Sequence, residues 1–329
     1  MSMRLVCSLV LCVIVCHATL TFGQDLPALA KHNRWVTSTQ FNGDGSQLVT
    51  TGGESLLYRP GDVRLWNPKD GSQIAALEGH TAAVWSAAIS ADGQTLITSA
   101  YDGKVIVWDV GGKKPKTILD KHKGWVRSVA LTPDAKHFAT AGEDGTVIVW
   151  VTETAAEHKS LKAHESAVYQ VAFSPDGQTL ASAGTDKLAK LWDWNAGTEK
   201  AKLEGHTDSV WTVAFRPDGQ MLATAGADKK IKLRDAQGAE QGMLEGHKDW
   251  VSAVAFSKDG SLLASASHDR TVKLWNVAEK KELHTFSGYT SSVWSVAFSP
   301  DGQTLATGSH KDGIKLWKVG DKMEVFMKK

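Results

Sequence analysis

The chain has 329 residues, of which 37 are basic and 36 are acidic, so that its formal charge is +1. Such a balance lacks the basic footprint that nucleic acid or an anionic lipid surface requires, and we expect neither as a partner. The three cysteines, Cys7, Cys12 and Cys16, all lie near the N-terminus. The rest of the chain therefore offers no disulfide, thiolate nucleophile or zinc-thiolate site.

Residues 1–23 have the pattern of a secretory signal peptide. Arg4 precedes an apolar run from Leu5 to Val15, and small residues follow near Gly23. The run is too short to span a bilayer comfortably, which favours a cleaved signal over a membrane anchor. We expect a mature chain beginning near Gln24, secreted or periplasmic and free of the membrane. An uncleaved anchor remains the alternative.

A stretch from Leu161 to Asp193 shows how the remainder is organised. A loop carrying His164 leads into an alternating apolar run over residues 168–173, and Ser-Pro-Asp-Gly follows with turn chemistry. Two further short apolar runs follow, over residues 180–183 and residues 188–192. Alternating runs of about five residues bounded by turn residues predict antiparallel strands.

This unit recurs through the chain. The histidine recurs at His32, His80, His122, His164, His206 and His247, with Tyr289 in the seventh place. The closing aromatic recurs at Trp66, Trp108, Trp150, Trp192, Trp275 and Trp317, with Arg234 in the fifth place. After the first unit, the histidine-position intervals are 42 or 41 residues.

A period of about 40–45 residues that opens on Gly-His and closes on Trp-Asp is typical of the WD-repeat propeller. The chain resembles the WD-repeat (WD40) family, in a bacterial-type exported form, over nearly all its length beyond residue 26. The resemblance implies an all-β, seven-bladed β-propeller with four antiparallel strands per blade. One terminus would close the ring by pairing into the last blade. The candidates are residues 26–30 and residues 323–327, and we favour the second.

The predicted domain organisation is a signal peptide over residues 1–23 and one propeller domain over residues 24–329. The blades are expected near residues 32–66, 80–108, 122–150, 164–192, 206–234, 247–275 and 289–317. The first unit carries an insertion between its second and third strands, which includes Tyr58. In the family this connection opens on the face where partners usually bind. Tyr58 is thus a candidate contact, unless the insertion folds down over the neighbouring blade.

The resemblance also assigns structural roles to recurring polar residues. In the family's tetrad, a Trp indole donates to a hydroxyl, the hydroxyl to a His, and the His to a carboxylate. Four units contain the whole set: His80, Thr98, Asp102 and Trp108; His122, Thr140, Asp144 and Trp150; His164, Ser182, Asp186 and Trp192; His247, Ser265, Asp269 and Trp275. Because this grouping repeats around the ring, it indicates a structural relay and not a hydrolase site.

Three units depart from the tetrad pattern. Arg234 replaces the Trp of unit five, and Tyr289 replaces the His of unit seven, where Asp312 comes one residue late. Unit one has Pro60 where the aspartate is expected. We expect the ring to be weakest at these units.

The tryptophans carry the functional signal. Six of the thirteen close third strands, whereas another six flank the first valine of an innermost strand, and Tyr169 takes that place in unit four. These candidate partner-binding residues are Trp35, Trp85, Trp125, Tyr169, Trp211, Trp250 and Trp294. Simple alternation puts the residues before and after that valine on one side, near the channel mouth. Large aromatic residues are enriched at binding hot spots, although packing or inheritance by duplication would explain the pattern as well.

Charged groups near this mouth differ from blade to blade: Arg34, Arg127, Glu143, Asp208, Asp249, His268, His310 and Lys311. None has metal-ligand spacing, and we expect no metal and no cofactor. The sequence favours a non-catalytic, monomeric scaffold that binds a protein or peptide on the aromatic-rimmed face. The alternatives are a small-molecule or glycan binder that uses the Trp ring and, less favoured, a propeller enzyme of the lyase or lactonase type.

Overall fold

The computed structural model describes residues 35–53 and 59–319. The predicted signal peptide, His32, Arg34, Tyr58 and both candidate closing segments lie outside these residues. The described chain consists of strands and their connecting loops. Within it no helix is long and apolar enough to cross a membrane.

Each blade begins with an innermost strand, and the second strand pairs with it. The innermost strands are β1 (Trp35–Phe41), β5 (Val84–Ile89), β9 (Val126–Leu131), β13 (Val168–Phe173), β17 (Val210–Phe215), β21 (Val251–Phe256) and β25 (Val293–Phe298). The second strands are β2 (Leu48–Gly53), β6 (Thr95–Ala100), β10 (His137–Gly142), β14 (Leu180–Gly184), β18 (Met221–Gly226), β22 (Leu262–Ser267) and β26 (Thr304–Ser309).

Two further strands extend each sheet outwards. The third strands are β3 (Asp62–Trp66), β7 (Val105–Asp109), β11 (Thr146–Val151), β15 (Ala189–Asp193), β19 (Ile231–Asp235), β23 (Val272–Asn276) and β27 (Ile314–Lys318). The outermost strands are β4 (Gln73–Leu77), β8 (Lys114–Leu119), β12 (Glu157–Lys162), β16 (Thr198–Leu203), β20 (Glu240–Leu244) and β24 (Lys281–Phe286).

The strands pair in chain order within antiparallel sheets, and each sheet forms one blade. Blade seven has three strands among the described residues. Strand β1 packs against β5 on one side and against β25 and β26 on the other, so that the first and last blades meet. The predicted seven-bladed propeller is confirmed. The choice of terminus for the outer edge of blade seven stays a prediction, because both segments lie outside the described chain.

The core lies between neighbouring blades, which explains why second strands are buried on both faces. All six residues of β2 are buried, whereas β8 alternates between exposed and partly exposed positions. One cluster joins Ile97 and Val107 of blade two to Phe138 and Trp150 of blade three. Each sheet thus buries both faces on its neighbours, as radial repetition requires.

Hydrogen bonds also join the innermost strands of successive blades. The Ser86 hydroxyl accepts from the Val129 amide at 3.3 Å, and the Gln170 side chain accepts from the Val213 amide at 2.8 Å. Thr39 donates to Ser295 at 3.3 Å and so joins blade one to blade seven. Polar positions of the channel wall therefore tie one blade to the next.

The four whole tetrads have the geometry that the resemblance implies. In blade two, the Trp108 indole donates to Thr98 at 2.8 Å, Thr98 lies 2.8 Å from His80 Nε2, and His80 Nδ1 lies 3.0 Å from Asp102. The indole–hydroxyl distances in blades three, four and six are 2.9, 2.9 and 2.8 Å. The corresponding histidine–carboxylate distances are 3.3, 2.8 and 2.8 Å.

Burial and hydrogen bonding shift the pKa of His122 and of Asp102 in these relays. It lowers the pKa of His122 against the opposing pull of Asp144, so that the ring is neutral at pH 7. Burial alone would raise the pKa of Asp102, but hydrogen bonds from His80 and from backbone amides outweigh it and hold that pKa below its usual value.

The departures from the tetrad are accommodated differently in each blade. In blade seven, the Tyr289 hydroxyl takes the histidine's place, 2.7 Å from Thr307, and the Trp317 indole donates to it at 2.8 Å. Asp312 accepts from the Thr290 amide at 3.0 Å, as Asp102 does from the Thr81 amide at 2.9 Å. Its late position in the sequence therefore does not remove the loop contact.

Blade five keeps part of its relay. His206 contacts Asp228 at 2.8 Å and Thr224 at 2.9 Å, but Thr224 has no indole donor. The buried guanidinium of Arg234 donates instead to the carbonyls of Gly238, at 3.1 Å, and Glu204. In blade one, the Trp66 indole donates to Thr50 at 2.8 Å.

Candidate functional site

A β-bulge at the start of every innermost strand directs one side chain into the channel. In blade two, Val84 pairs with Ala100 and Ser86 pairs with Ser99, so that Trp85 between them is unpaired. Bulges re-aim side chains in this way. The seven bulge residues are Thr37, Trp85, Arg127, Tyr169, Trp211, Ser252 and Trp294. All seven line one cavity of about 150 Å³.

Simple alternation predicts that the residues before and after the valine point to one side. This prediction is wrong, because the bulge separates the two positions. Trp85, Tyr169, Trp211 and Trp294 follow their valines and line the cavity. The other three candidates precede their valines and do not line it: Trp35, Trp125 and Trp250. The alternation rule fails here because an extra residue interrupts the pairing. These three rings contact neighbouring rings instead, and Trp250 is 42% exposed.

A third position adds side chains to the same face. The residue before the tetrad aspartate of blade two, Tyr101, donates its backbone N–H to the carbonyl of Ala83, which precedes the first valine. Blades three to seven repeat this bond with Glu143, Thr185, Ala227, His268 and His310 as donors. Sequence reasoning missed Tyr101, although its place directly before Asp102 in the repeat could have indicated it.

The rings from these three positions form one contact network. Trp85 meets Trp294 edge-on at 5.1 Å between centroids, and Tyr169 stacks on Trp211 at 5.2 Å. Trp250 lies 4.9 Å from Trp211. Tyr101 lies 4.4 Å from Trp125 and 5.2 Å from Trp85, and His310 lies 4.8 Å from Trp35 and 6.5 Å from Trp294. His268 joins the two parts of the network, at 5.3 Å from Trp211 and 5.2 Å from Trp294. We call this set, the seven bulge residues with Trp35, Tyr101, Trp125, Trp250, His268 and His310, the aromatic mouth.

Arg127 places a positive charge within the aromatic mouth. Its guanidinium carbon lies 4.6 Å from the centroid of Tyr169 and 5.6 Å from those of Trp85 and Tyr101. One amino group lies 3.3 Å from Glu143, and the other donates to the Tyr101 hydroxyl at 3.4 Å. The residue is only 9% exposed. Cation–π contacts of this kind stabilise a desolvated cation by about 2 kcal/mol.

Three polar atoms of the aromatic mouth are buried and lack a hydrogen-bond partner among the described residues: Arg127 Nε, His268 Nε2 and Trp294 Nε1. Burial lowers the pKa of His268 against the opposing charge of Asp249, which leaves the ring neutral at pH 7. Buried polar atoms are usually paired, so each unpartnered one calls for a partner such as an ordered water or a ligand group.

The repeats match the family described as "WD domain, G-beta repeat" in six segments, at residues 71–109, 113–151, 156–193, 197–235, 238–276 and 280–318. The chain belongs to the WD40 repeat family. The predicted resemblance is confirmed in that respect, and propellers of this family commonly mediate protein interactions.

Curated relatives match this WD40 propeller over short stretches. Eukaryotic translation initiation factor 3 subunit I of Schizosaccharomyces pombe is 27% identical over 82 residues, which is 25% of this chain and 23% of the relative. WD repeat-containing protein 1 of Xenopus tropicalis is 27% identical over 92 residues, 27% of this chain and 14% of the relative. The chain thus matches less than a quarter of the length of either relative.

Other predicted charged residues near the WD40 propeller's mouth have local structural contacts. Asp208 accepts from the Ser209 amide at 2.7 Å, and Asp249 accepts from the Trp250 amide at 2.9 Å. The Lys311 amide donates to Ser291 at 2.8 Å. These bonds shape the loops around the mouth.

The His, Ser/Thr and Asp residues of the tetrads are not arranged for catalysis. Ser182 is buried, and its hydroxyl already accepts from Trp192 while it contacts His164. A nucleophile must reach its substrate, so this geometry supports structure and not hydrolysis. In residues 35–53 and 59–319, no group of three His, Cys, Asp or Glu side chains is placed to hold a metal ion.

The opposite end of the channel is wider and has different chemistry. Its cavity of about 710 Å³ is lined by the ends of the innermost strands and by the turns that follow, including Phe173, Phe215 and Phe298. Among the described residues that line it there is no charged side chain. The two ends of the channel are therefore chemically distinct surfaces.

Proposed function

We propose that this WD40 propeller is a non-catalytic scaffold that binds a protein or peptide segment at the aromatic mouth. The observation that carries the proposal is that all seven blades direct their bulge residue into one cavity, and that four of these residues are Trp or Tyr. Aromatic side chains supply rigid contact area at a low entropy cost, and they are enriched among interface hot spots.

The size of the cavity favours a polypeptide partner over a small molecule or a glycan. Sites that enclose small ligands usually measure about 300–1,000 Å³. The cavity here, at about 150 Å³, has room for one inserted side chain. The rest of a partner would lie across the surrounding rings, of which Trp250 is the most exposed. The family's common role in protein interactions supports the same assignment.

The proposal also concerns where the scaffold acts. We propose that residues 1–23 direct export and are then removed, which would present the aromatic mouth to partners outside the cytoplasm. Intact mass of the exported protein tests this. A mature N-terminus between Ala18 and Asp25 supports export with cleavage, whereas a mass that retains residues 1–23 contradicts it.

Selection of peptides on the purified protein tests the binding role. A phage-displayed library of random nine-residue peptides is selected, and the dissociation constants of enriched peptides are measured by calorimetry. Trp250→Ala is the informative variant because Trp250 is the most exposed ring of the aromatic mouth, at 42%. Truncating a hot-spot aromatic costs about 2 kcal/mol, a loss of about thirtyfold in affinity.

Ile118→Ala is the matched control, because Ile118 is 50% exposed on the outer strand β8 and distant from the mouth. We expect it to leave affinity unchanged. Equal melting temperatures of both variants and the wild type would show that the fold is intact. The proposal is refuted if no peptide is enriched, or if enriched peptides bind Trp250→Ala and wild type equally.

A further inference from the structure

We propose that the aromatic mouth selects partner segments that insert an acidic side chain, whose carboxylate pairs with Arg127. This inference rests on the proposed function and specifies the chemistry of the partner. It starts from the one bulge position that carries a permanent charge. The six other bulge residues are aromatic or hydroxylic, so Arg127 determines the charge of the cavity wall.

The guanidinium of Arg127 is incompletely satisfied. It carries five N–H donors, but its bonds to Glu143 and the Tyr101 hydroxyl are long, at 3.3 and 3.4 Å. Its Nε is buried and has no partner among the described residues. A charge that has lost its water gains most from an ionic partner with hydrogen-bonding oxygens. Arg127 itself lines the cavity, so a carboxylate that enters would approach this guanidinium.

Charge complementarity points to a carboxylate as that partner. Within the described chain, no Asp or Glu lines the cavity. Glu143 already forms an ion pair with Arg127 at 3.3 Å, but it does so from outside the lining and with a side chain that is 39% exposed, so that solvent weakens the pair. Asp249 is engaged with the Trp250 amide and lies beside His268. An entering Lys or Arg side chain would meet Arg127 and be repelled, whereas an Asp or Glu would be attracted.

The tryptophans that surround the cavity without lining it favour an acidic side chain inside a peptide segment over a C-terminal carboxylate. Trp35, Trp125 and Trp250 belong to blades one, three and six, so they surround the cavity from different directions. A residue inside a segment has neighbours on both sides that can contact these rings. A chain end has neighbours on one side only.

The test uses the most enriched nine-residue peptides from the selection, acetylated and amidated at their ends. We expect an Asp or Glu to recur at one position. Replacing it by the isosteric Asn or Gln should weaken binding about tenfold or more, as loss of one partner from a desolvated charge pair does. A free C-terminal carboxylate on the Gln peptide should not restore the affinity.

Two variants of the protein complete the test. Arg127→Met should remove the difference between the Glu and Gln peptides. Glu143→Gln should strengthen binding of the Glu peptide and leave that of the Gln peptide unchanged, because it removes a competing carboxylate and not a packed side chain. Arg216→Met is the matched control: Arg216 follows β17 at the opposite end of the channel and pairs with Asp218 at 2.7 Å.

The outcomes distinguish this inference from the proposed function. Peptides that depend on Trp250 but carry no recurring acidic residue would overturn the inference alone. So would equal binding of Glu and Gln peptides, restoration by a free C-terminus, or a Glu143→Gln variant that binds the Glu peptide no more tightly. If Arg127→Met does not fold, the Glu143→Gln comparison decides. The absence of any enriched peptide would refute both proposals.

Discussion

Replacing Arg234 by Trp tests how much one relay contributes to a blade. In blade five, Thr224 contacts His206 at 2.9 Å but receives no indole, and the Arg234 side chain is buried with its Nε unpartnered. Burial also lowers the pKa of Arg234, which reports the cost of desolvating its charge. The substitution would exchange this buried charge for the donor that blades two, three, four and six use.

The side chains that the new ring would displace in blade five are flexible at their ends. In blades two and six, the indole packs close to the glycine before the relay histidine, at Gly79 and Gly246. Blade five has Gly205 at that position, where a side chain would meet the ends of the Lys232 and Glu240 side chains, which form an ion pair at 2.7 Å. We therefore expect the indole of Arg234→Trp to reach Thr224 at the 2.8 Å seen between Trp275 and Ser265.

The expected gain is the balance of two favourable terms and one unfavourable term. The new hydrogen bond contributes about 1 kcal/mol, and removal of a partly unsatisfied buried charge adds to it. Against this stand the lost bonds from Arg234 to the carbonyls of Gly238 and Glu204. A net gain of about 1 kcal/mol corresponds to a rise in melting temperature of about 2–4 °C.

Calorimetry and hydrogen exchange provide the assay. We expect a higher melting temperature for Arg234→Trp and slower amide exchange in β18 and β19. The reverse substitution in blade six, Trp275→Arg, is the matched control and should destabilise. A fall in melting temperature for Arg234→Trp would refute the reasoning, because it would show that the carbonyl contacts of Arg234 outweigh the missing relay.

Three further predictions concern stability. Trp108→Ala should cost about 3–5 kcal/mol, because it leaves a cavity and deprives Thr98 of its donor, and denaturant unfolding measures this. Burial would raise the pKa of Asp269, but hydrogen bonds from His247 and Thr271 outweigh it and lower that pKa in the fold. The lowered pKa of Asp269 therefore stabilises the fold fully above the unfolded pKa of about 4, and this stabilisation is lost as the pH falls further. Asp269→Asn should flatten the curve of stability against pH below about pH 4. An unchanged slope would contradict this prediction. Deleting residues 322–329 should lower the melting temperature if the C-terminal strand closes blade seven, and an unchanged value would assign closure to another segment.

The repeat made much of the fold predictable. The spacing of His80, Thr98, Asp102 and Trp108 is enough to indicate a relay, because each residue keeps its place in a strand or turn from blade to blade. The substitution of Tyr289 was less predictable. A hydroxyl on a longer ring still reaches Thr307, so the missing histidine does not leave a gap.

The candidate site was only partly predictable, for a geometric reason. Alternation assigns directions to side chains only while pairing is regular, and the bulge at Trp85 interrupts it where the site begins. The sequence could therefore indicate a set of aromatics but could not separate cavity-lining residues from the surrounding ones. From the sequence, Arg127 is one of several charged residues near the mouth that differ between blades, whereas the structure buries it between rings from neighbouring blades.

Photo-cross-linking locates the bound segment most directly. A selected peptide carrying benzoylphenylalanine next to its acidic residue is irradiated with the wild-type protein, and the modified residues are identified by mass spectrometry. We expect cross-links to the aromatic mouth, chiefly at Trp250 and its neighbours in β21, and we expect excess unlabelled peptide to abolish them. Cross-links confined to the opposite end of the channel, around Phe173 and Phe215, or to the outer strands would contradict it.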